Sequence, residues 1–165
     1  MHSMRNRRTS SPTRGALRLS VFVQNQTQRK GVPLARSFET WIKAALTEHR
    51  KGRTEVNIVI VDEVAGRELN SAFRQKNYAT NVLSFPYDPL PHERTALLGD
   101  VVFCAPVVAR EAAEQSKSSR DHFAHLTVHG VLHLLGYDHE SATDAEQMET
   151  LERQILAKLR VADPY

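Results

Sequence analysis

The chain has 165 residues, 41% hydrophobic and 25% charged, which is enough apolar surface for one compact domain with a real core. It has no apolar run of about 18 residues, so no transmembrane helix is expected. Its single cysteine, Cys104, excludes an internal disulfide or a cysteine-cluster zinc site and fits a reducing, cytoplasmic setting. The net charge of +3 is unevenly spread, because residues 1–38 carry eight Lys or Arg and no Asp or Glu, which leaves the remainder net acidic.

Residues 1–16 are rich in Arg, Ser and Thr and have no hydrophobic periodicity, so they read as a disordered basic arm. They lack the apolar centre of a secretory signal. An acid-free, Arg- and Ser-rich start is also the composition of an organelle transit peptide, although nothing else in the chain selects an organelle. A basic arm can add weak, salt-sensitive attraction to a polyanion. Beyond the arm, Leu19–Val23 alternates as a strand does. Leu34, Phe38, Trp41, Ile42 and Ala45 fall on one helical face. Val56–Val61 is apolar at almost every position, as in a strand covered on both faces. Asp62 is placed to cap a helix that runs to Arg74 and buries Leu69, Ala72 and Phe73. Two further strands follow at Asn81–Phe85 and Asp100–Cys104, separated by a loop that contains Pro86, Pro89 and Pro91. Pro106 suits the first turn of a helix to about Lys117, and a histidine-bearing helix spans about Arg120–Leu135. Ser141 and Asp144 mark the start of a last helix whose apolar stripe is Met148, Leu151, Ile155 and Leu159. The order β-α-β-α-β-β-α-α-α predicts a single-domain α/β sandwich over residues 17–160, followed by a short tail at 161–165. It has a four-stranded mixed sheet and about five helices, and the two strands joined by the proline-rich loop pair antiparallel.

The chemistry concentrates in the run from His129 to His139. His129 and His133 stand at i and i+4 within an apolar helical pattern, roughly 6 Å apart on one face. Gly136 can take the left-handed conformation that ends a helix, after which the chain can return His139 toward the same point. Three neutral imidazoles and an open position are the donor set of a catalytic zinc, here at a helix C-terminus and the turn that follows it. Nickel and similar divalent ions also suit imidazole ligands. His122 and His125 lie on the same stripe, but His125 and His133 are roughly 12 Å apart along the axis and cannot share one ion. The preferred set is therefore His129, His133 and His139, with His125 and His129 plus a third ligand as the rival.

A zinc site of this kind implies hydrolysis. The helix motif of metallopeptidases, H-E-x-x-H, carries a glutamate as general base where this chain has Gly130, which argues against peptide hydrolysis without touching metal binding. The remaining alternative is a non-catalytic binding protein in which zinc is structural. Asp138 is a candidate for orienting a ligand imidazole or for capping the turn, Asp100 for reaching the site or merely ending its strand, and Tyr137 for packing in the turn.

The run His129-Gly130-x-x-His133-x-x-Gly136-Tyr137-Asp138-His139 resembles the signature H-G-x-x-H-x-x-G-Y-D-H of the YbeY family of zinc-dependent endoribonucleases, which are rRNA maturation factors. Leu69-Asn70 through Arg74, then Thr80-Asn81-Val82-Leu83-Ser84-Phe85, resembles that family's L-N-x-x-x-R…T-[DN]-V-L-S-F element, and Leu98-Gly99-Asp100-Val101 its L-G-D-[IV] element. Asn81 stands where many relatives have Asp, so a carboxylate there is not essential. The resemblance implies a metal-dependent endoribonuclease acting on single-stranded RNA, with roles in small-subunit rRNA 3′ processing and ribosome quality control and with ribosome-associated partners. It also implies that Arg74 handles phosphate. Arg74 and His129 are thus the candidate catalytic residues. Either water or the RNA 2′-hydroxyl can serve as nucleophile.

Overall fold

A computed structural model describes residues 15–165, so residues 1–14 of the expected basic arm lie outside the described residues. The elements follow the expected order. They are β1 (Leu17–Asn25), α1 (Ala35–Leu46), β2 (Gly52–Val61), α2 (Glu63–Arg74), β3 (Val82–Pro86), β4 (Leu97–Cys104), α3 (Ala105–Glu114), α4 (Ser119–Leu134) and α5 (Ala142–Lys158). The sheet order is β1-β2-β4-β3. β1, β2 and β4 run parallel, and β3 pairs antiparallel with β4 across the proline-rich connection.

The two faces of the sheet are covered unequally. Val56, Ile58 and Ile60 of β2 and Val101 and Phe103 of β4 join α1, α4 and α5 in the main core, which centres on Phe38, Phe103 and Phe123. The other face carries a small cluster of Val61, Leu83 and Val102 beneath α2. β2 is therefore not covered on both faces as expected. Asn57 and Val59 stay half-buried because, among the described residues, α2 is the helix packed on their side.

α2 also differs from expectation. Gly66 and Asn70 are its buried residues, Leu69 is half-buried, and Ala72 and Phe73 are exposed, Phe73 to 63%. The helix approaches β4 through its smallest residue: a Cβ on Gly66 would stand 2.9 Å from Cys104 Sγ. Phe73 reaches only the edge of Phe85, 5.1 Å between ring centroids. Asp62 sits at the N-cap in extended backbone but makes no side-chain cap bond. Ser141 does cap α5, its Oγ accepting from Asp144 N at 3.1 Å. Cys104 is buried, and desolvation pushes its thiol pKa up. No helix among the described residues is long and apolar enough to cross a membrane.

Candidate metal centre

α4 packs in the main core and is buried apart from its first turn and His125, His129 and His133. Ser118 starts it, with Oγ accepting from Asp121 N at 3.1 Å. Toward its other end Gly130 lies against the sheet. Ser84 Oγ of β3 donates to Gly130 O at 2.9 Å, and a Cβ at Gly130 would stand 2.8 Å from Val101 Cγ1. This contact explains why no glutamate sits between the two helical histidines, since the position faces packed sheet rather than the site. Gly130→Ala is expected to cost about 1–3 kcal/mol through overpacking. Urea denaturation checks it, and unchanged stability would mean that α4 can move off β4 freely.

The end of α4 aims the third histidine. Gly136 takes φ +98, its N–H bonds His133 O at 3.0 Å, and Tyr137 N bonds Leu132 O at 3.1 Å. These bonds satisfy the last carbonyls and reverse the chain. His139 then returns to 5.0 Å from His133 and 5.6 Å from His129 between ring centroids. One nitrogen from each of the three rings lies within 4.8 Å of the other two. His129 and His133 are half-buried and His139 is exposed.

Their hydrogen bonds fix which nitrogen faces the common point. His133 Nδ1–H donates to Tyr137 O at 2.9 Å, and His129 Nδ1–H donates to Glu152 Oε1 at 2.5 Å. Both partners can only accept, so each neutral ring presents a bare lone pair at Nε2. Those two Nε2 atoms stand 3.1 Å apart. Two lone pairs cannot bond one another, and they suit a shared cation. Burial, and then the neighbouring His129, push the His133 imidazole below the ordinary histidine range, toward the neutral form that binds metal.

Glu152 was not anticipated. It lies inside α5 at 0% exposure. Burial opposes its charge, but the imidazoles of His125 and His129 and the Tyr165 hydroxyl outweigh that and bring the carboxyl down to about 2. The sequence did hold one signal, a glutamate among the apolar positions Met148, Ile155 and Leu156, where a charge survives only with partners.

Arg74 lines the same cleft from the end of another helix. It is the last residue of α2, which Gln75 ends with left-handed backbone. Asn70, 2% exposed, clamps the loop beyond: its Nδ2 donates to Tyr78 O at 2.6 Å, and Lys76 N donates to its carbonyl at 3.3 Å. Arg74, Lys76, Tyr78 and Asn81 thus line one cleft of about 280 Å³ together with His129, His133 and His139. No aspartate or glutamate lines it, and Arg74 has no ion-pair partner among the described residues.

The other residues weighed from the sequence fall elsewhere. Asp100 lines the grooves on the opposite face of the sheet, where Asn57 Nδ2 donates to it at 2.8 Å. Asp138 Oδ1 accepts from His139 N at 2.7 Å and so braces the turn. The Tyr137 ring packs edge-on to His49. His125 lies 3.4 Å from Glu152 Oε2, outside the group of three, and His122 pairs with Glu111 at 2.7 Å.

Residues 22–160 match a family model described as Endoribonuclease YbeY. A protein of Stenotrophomonas maltophilia named Endoribonuclease YbeY is 55% identical over 160 residues, covering 93% of this chain and 97% of its own length. One of the same name from Xylella fastidiosa is 53% identical over 157 residues, with the same coverage of both chains. The solution structure of TM1509 from Thermotoga maritima superposes with a TM-score of 0.55 at 25% identity, covering 88% of this chain and 98% of that one.

Proposed function

The chain belongs to the YbeY endoribonuclease family, hydrolases that act on RNA, and on that footing we propose that it cleaves single-stranded RNA with a divalent metal held by His129, His133 and His139. The observation that carries this reading is the convergence of three histidine nitrogens and an unpaired arginine on one acid-free cleft. A polyanion meets no like charge there, and Arg74 can offer two N–H groups to phosphoryl oxygens as negative charge builds on them. The donor set fits zinc best, with nickel as a substitute. When bound, such an ion lowers the pKa of water toward about 7 and polarises a phosphoryl oxygen. The chain's own residues do the rest: Tyr137 O and Glu152 hold the His133 and His129 rings, and Asn70 holds the loop that carries Lys76 and Tyr78 beside Arg74. The cellular role that fits this chemistry is maturation of the small-subunit rRNA 3′ end and ribosome quality control in the cytoplasm, alongside ribosome-associated proteins. Residues 17–160 form the metallohydrolase domain in this reading, and the basic residues before them add salt-sensitive attraction to RNA.

Zinc-loaded protein should cleave an unstructured RNA oligonucleotide, lose that activity on chelation, and leave casein intact. Metal-dependent casein hydrolysis would reverse the substrate class. Fully metallated protein that cut no RNA would favour a binding role in ribosome assembly.

A further inference from the structure

The cleft is where RNA would be met in the proposed reading, but a fully buried carboxylate bonded by two side chains lies behind the triad. Three groups converge on the two oxygens of Glu152. His129 Nδ1–H donates to Oε1, His125 Nε2 stands 3.4 Å from Oε2, and the Tyr165 hydroxyl donates to Oε2. A carboxylate with no solvent exposure needs bonded partners, and His129 and Tyr165 supply them. Tyr165 is held in turn. Its backbone N–H donates to Asp163 Oδ1 at 2.9 Å, and the Arg153 guanidinium lies 5.1 Å from its ring centroid. Arg153 also pairs with Asp163 at 3.2 Å. Residues 163–165 therefore form a strap fastened to α5 at two successive residues, Glu152 and Arg153. The ring of Tyr165 meets His125 edge-on at 5.6 Å.

We propose that Glu152 and Tyr165 are positioning residues for the metal centre: the strap fixes the Glu152 carboxylate, which fixes the tautomer and ring plane of His129 and so tightens the grip of the triad on a divalent cation. The inference rests on reading His129, His133 and His139 as the ligands. A carboxylate that accepts from Nδ1–H leaves Nε2 as the only lone pair and makes it more basic. His125 Nε2 is too distant to hold Oε2, so the Tyr165 hydroxyl is the hydrogen bond on Oε2 that stops the carboxylate from turning. The strap and the cleft lie on different sides of His129, so metal affinity can change without disturbing the RNA-facing wall.

The test is zinc affinity of the apoprotein, measured by competition with a chromophoric chelator, with the apoprotein melting temperature measured in parallel. Glu152→Gln should weaken zinc binding by roughly 10–100-fold, as for other partners of ligand histidines. Tyr165→Phe should weaken it by roughly 3–10-fold, the scale of one hydrogen bond. The double variant should bind no worse than Glu152→Gln alone, because Tyr165 acts through Glu152. Unchanged zinc affinity in Tyr165→Phe, or losses that simply add in the double variant, would overturn the proposal. A lowered melting temperature with intact affinity would also overturn it by making the strap merely structural. Should Glu152→Gln fail to fold, Tyr165→Phe decides alone. Wild-type protein that takes up no zinc would overturn the ligand set itself, which is a different failure.

Discussion

His139→Ala is expected to strip the protein of its metal and abolish RNA cleavage while leaving the fold intact. His139 is the exposed member of the triad and comes from the turn after α4, so its imidazole contributes nothing to the core. Its removal should fall within the roughly 0.5 kcal/mol typical of surface changes. The loss of binding should well exceed the roughly 10–100-fold that follows loss of an outer partner, since two imidazoles on one helix are an incomplete donor set. Elemental analysis after dialysis against chelator, together with thermal unfolding of the apoprotein, reads both effects. Retained stoichiometry in His139→Ala, with loss in His125→Ala, would replace the assignment by the rival set built on His125 and His129.

That rival shows how far a sequence pattern reaches. The spacing of His129, His133 and His139 specifies a converging site because helix geometry and one left-handed glycine leave little freedom. The strand and helix order was legible for a similar reason: β-branched runs such as Val56–Val61 and amphipathic faces such as Phe38, Trp41 and Ile42 bury the residues that announce them. α2 was misread because its contact with β4 is made by Gly66 and Asn70, which carry no hydrophobic signal. Close approach selects small residues, and periodicity arguments weigh large ones. Phe73, the largest residue of that pattern, stays exposed at the rim of the face beneath α2.

Glu152 and the loop clamp at Asn70 were missed for a related reason. Polar residues at buried positions are interpretable only once their partners are known, and those partners are remote in sequence: His129 for Glu152, and the carbonyl of Tyr78 for Asn70. A charge inside an apolar stripe signals that some partner exists but not which one. Asp100 illustrates the converse case, where two readings stood open. A carboxylate near the start of an apolar strand invites a functional reading, yet strand alternation turns it away from α4, and Asn57 satisfies it on the far face.

Arg74→Ala is expected to leave metal content and melting temperature nearly unchanged and to lower RNA turnover by about 10²–10³-fold, as for loss of one preorganised donor. The guanidinium is exposed at the end of α2, and no carboxylate among the described residues ties it down. It therefore contributes little to folding and is free to meet a phosphate. The clamped loop that follows it keeps it in the cleft that His129 and His133 also line, where the proposed cleavage would build charge. If it acts on that developing charge, kcat should carry most of the loss. RNA affinity should weaken only by about one phosphate contact, with a correspondingly shallower salt dependence. Arg74→Lys should recover little, because an ammonium cannot reproduce the planar fork. Measurements need fixed ionic strength and metal-loaded variants. Wild-type turnover in Arg74→Ala would remove the residue from the reaction. A loss confined to binding would make it one cation among several lining the cleft, on a par with Lys76. Lost activity with lost stability would mean that the end of α2 is a structural brace rather than a phosphate clamp.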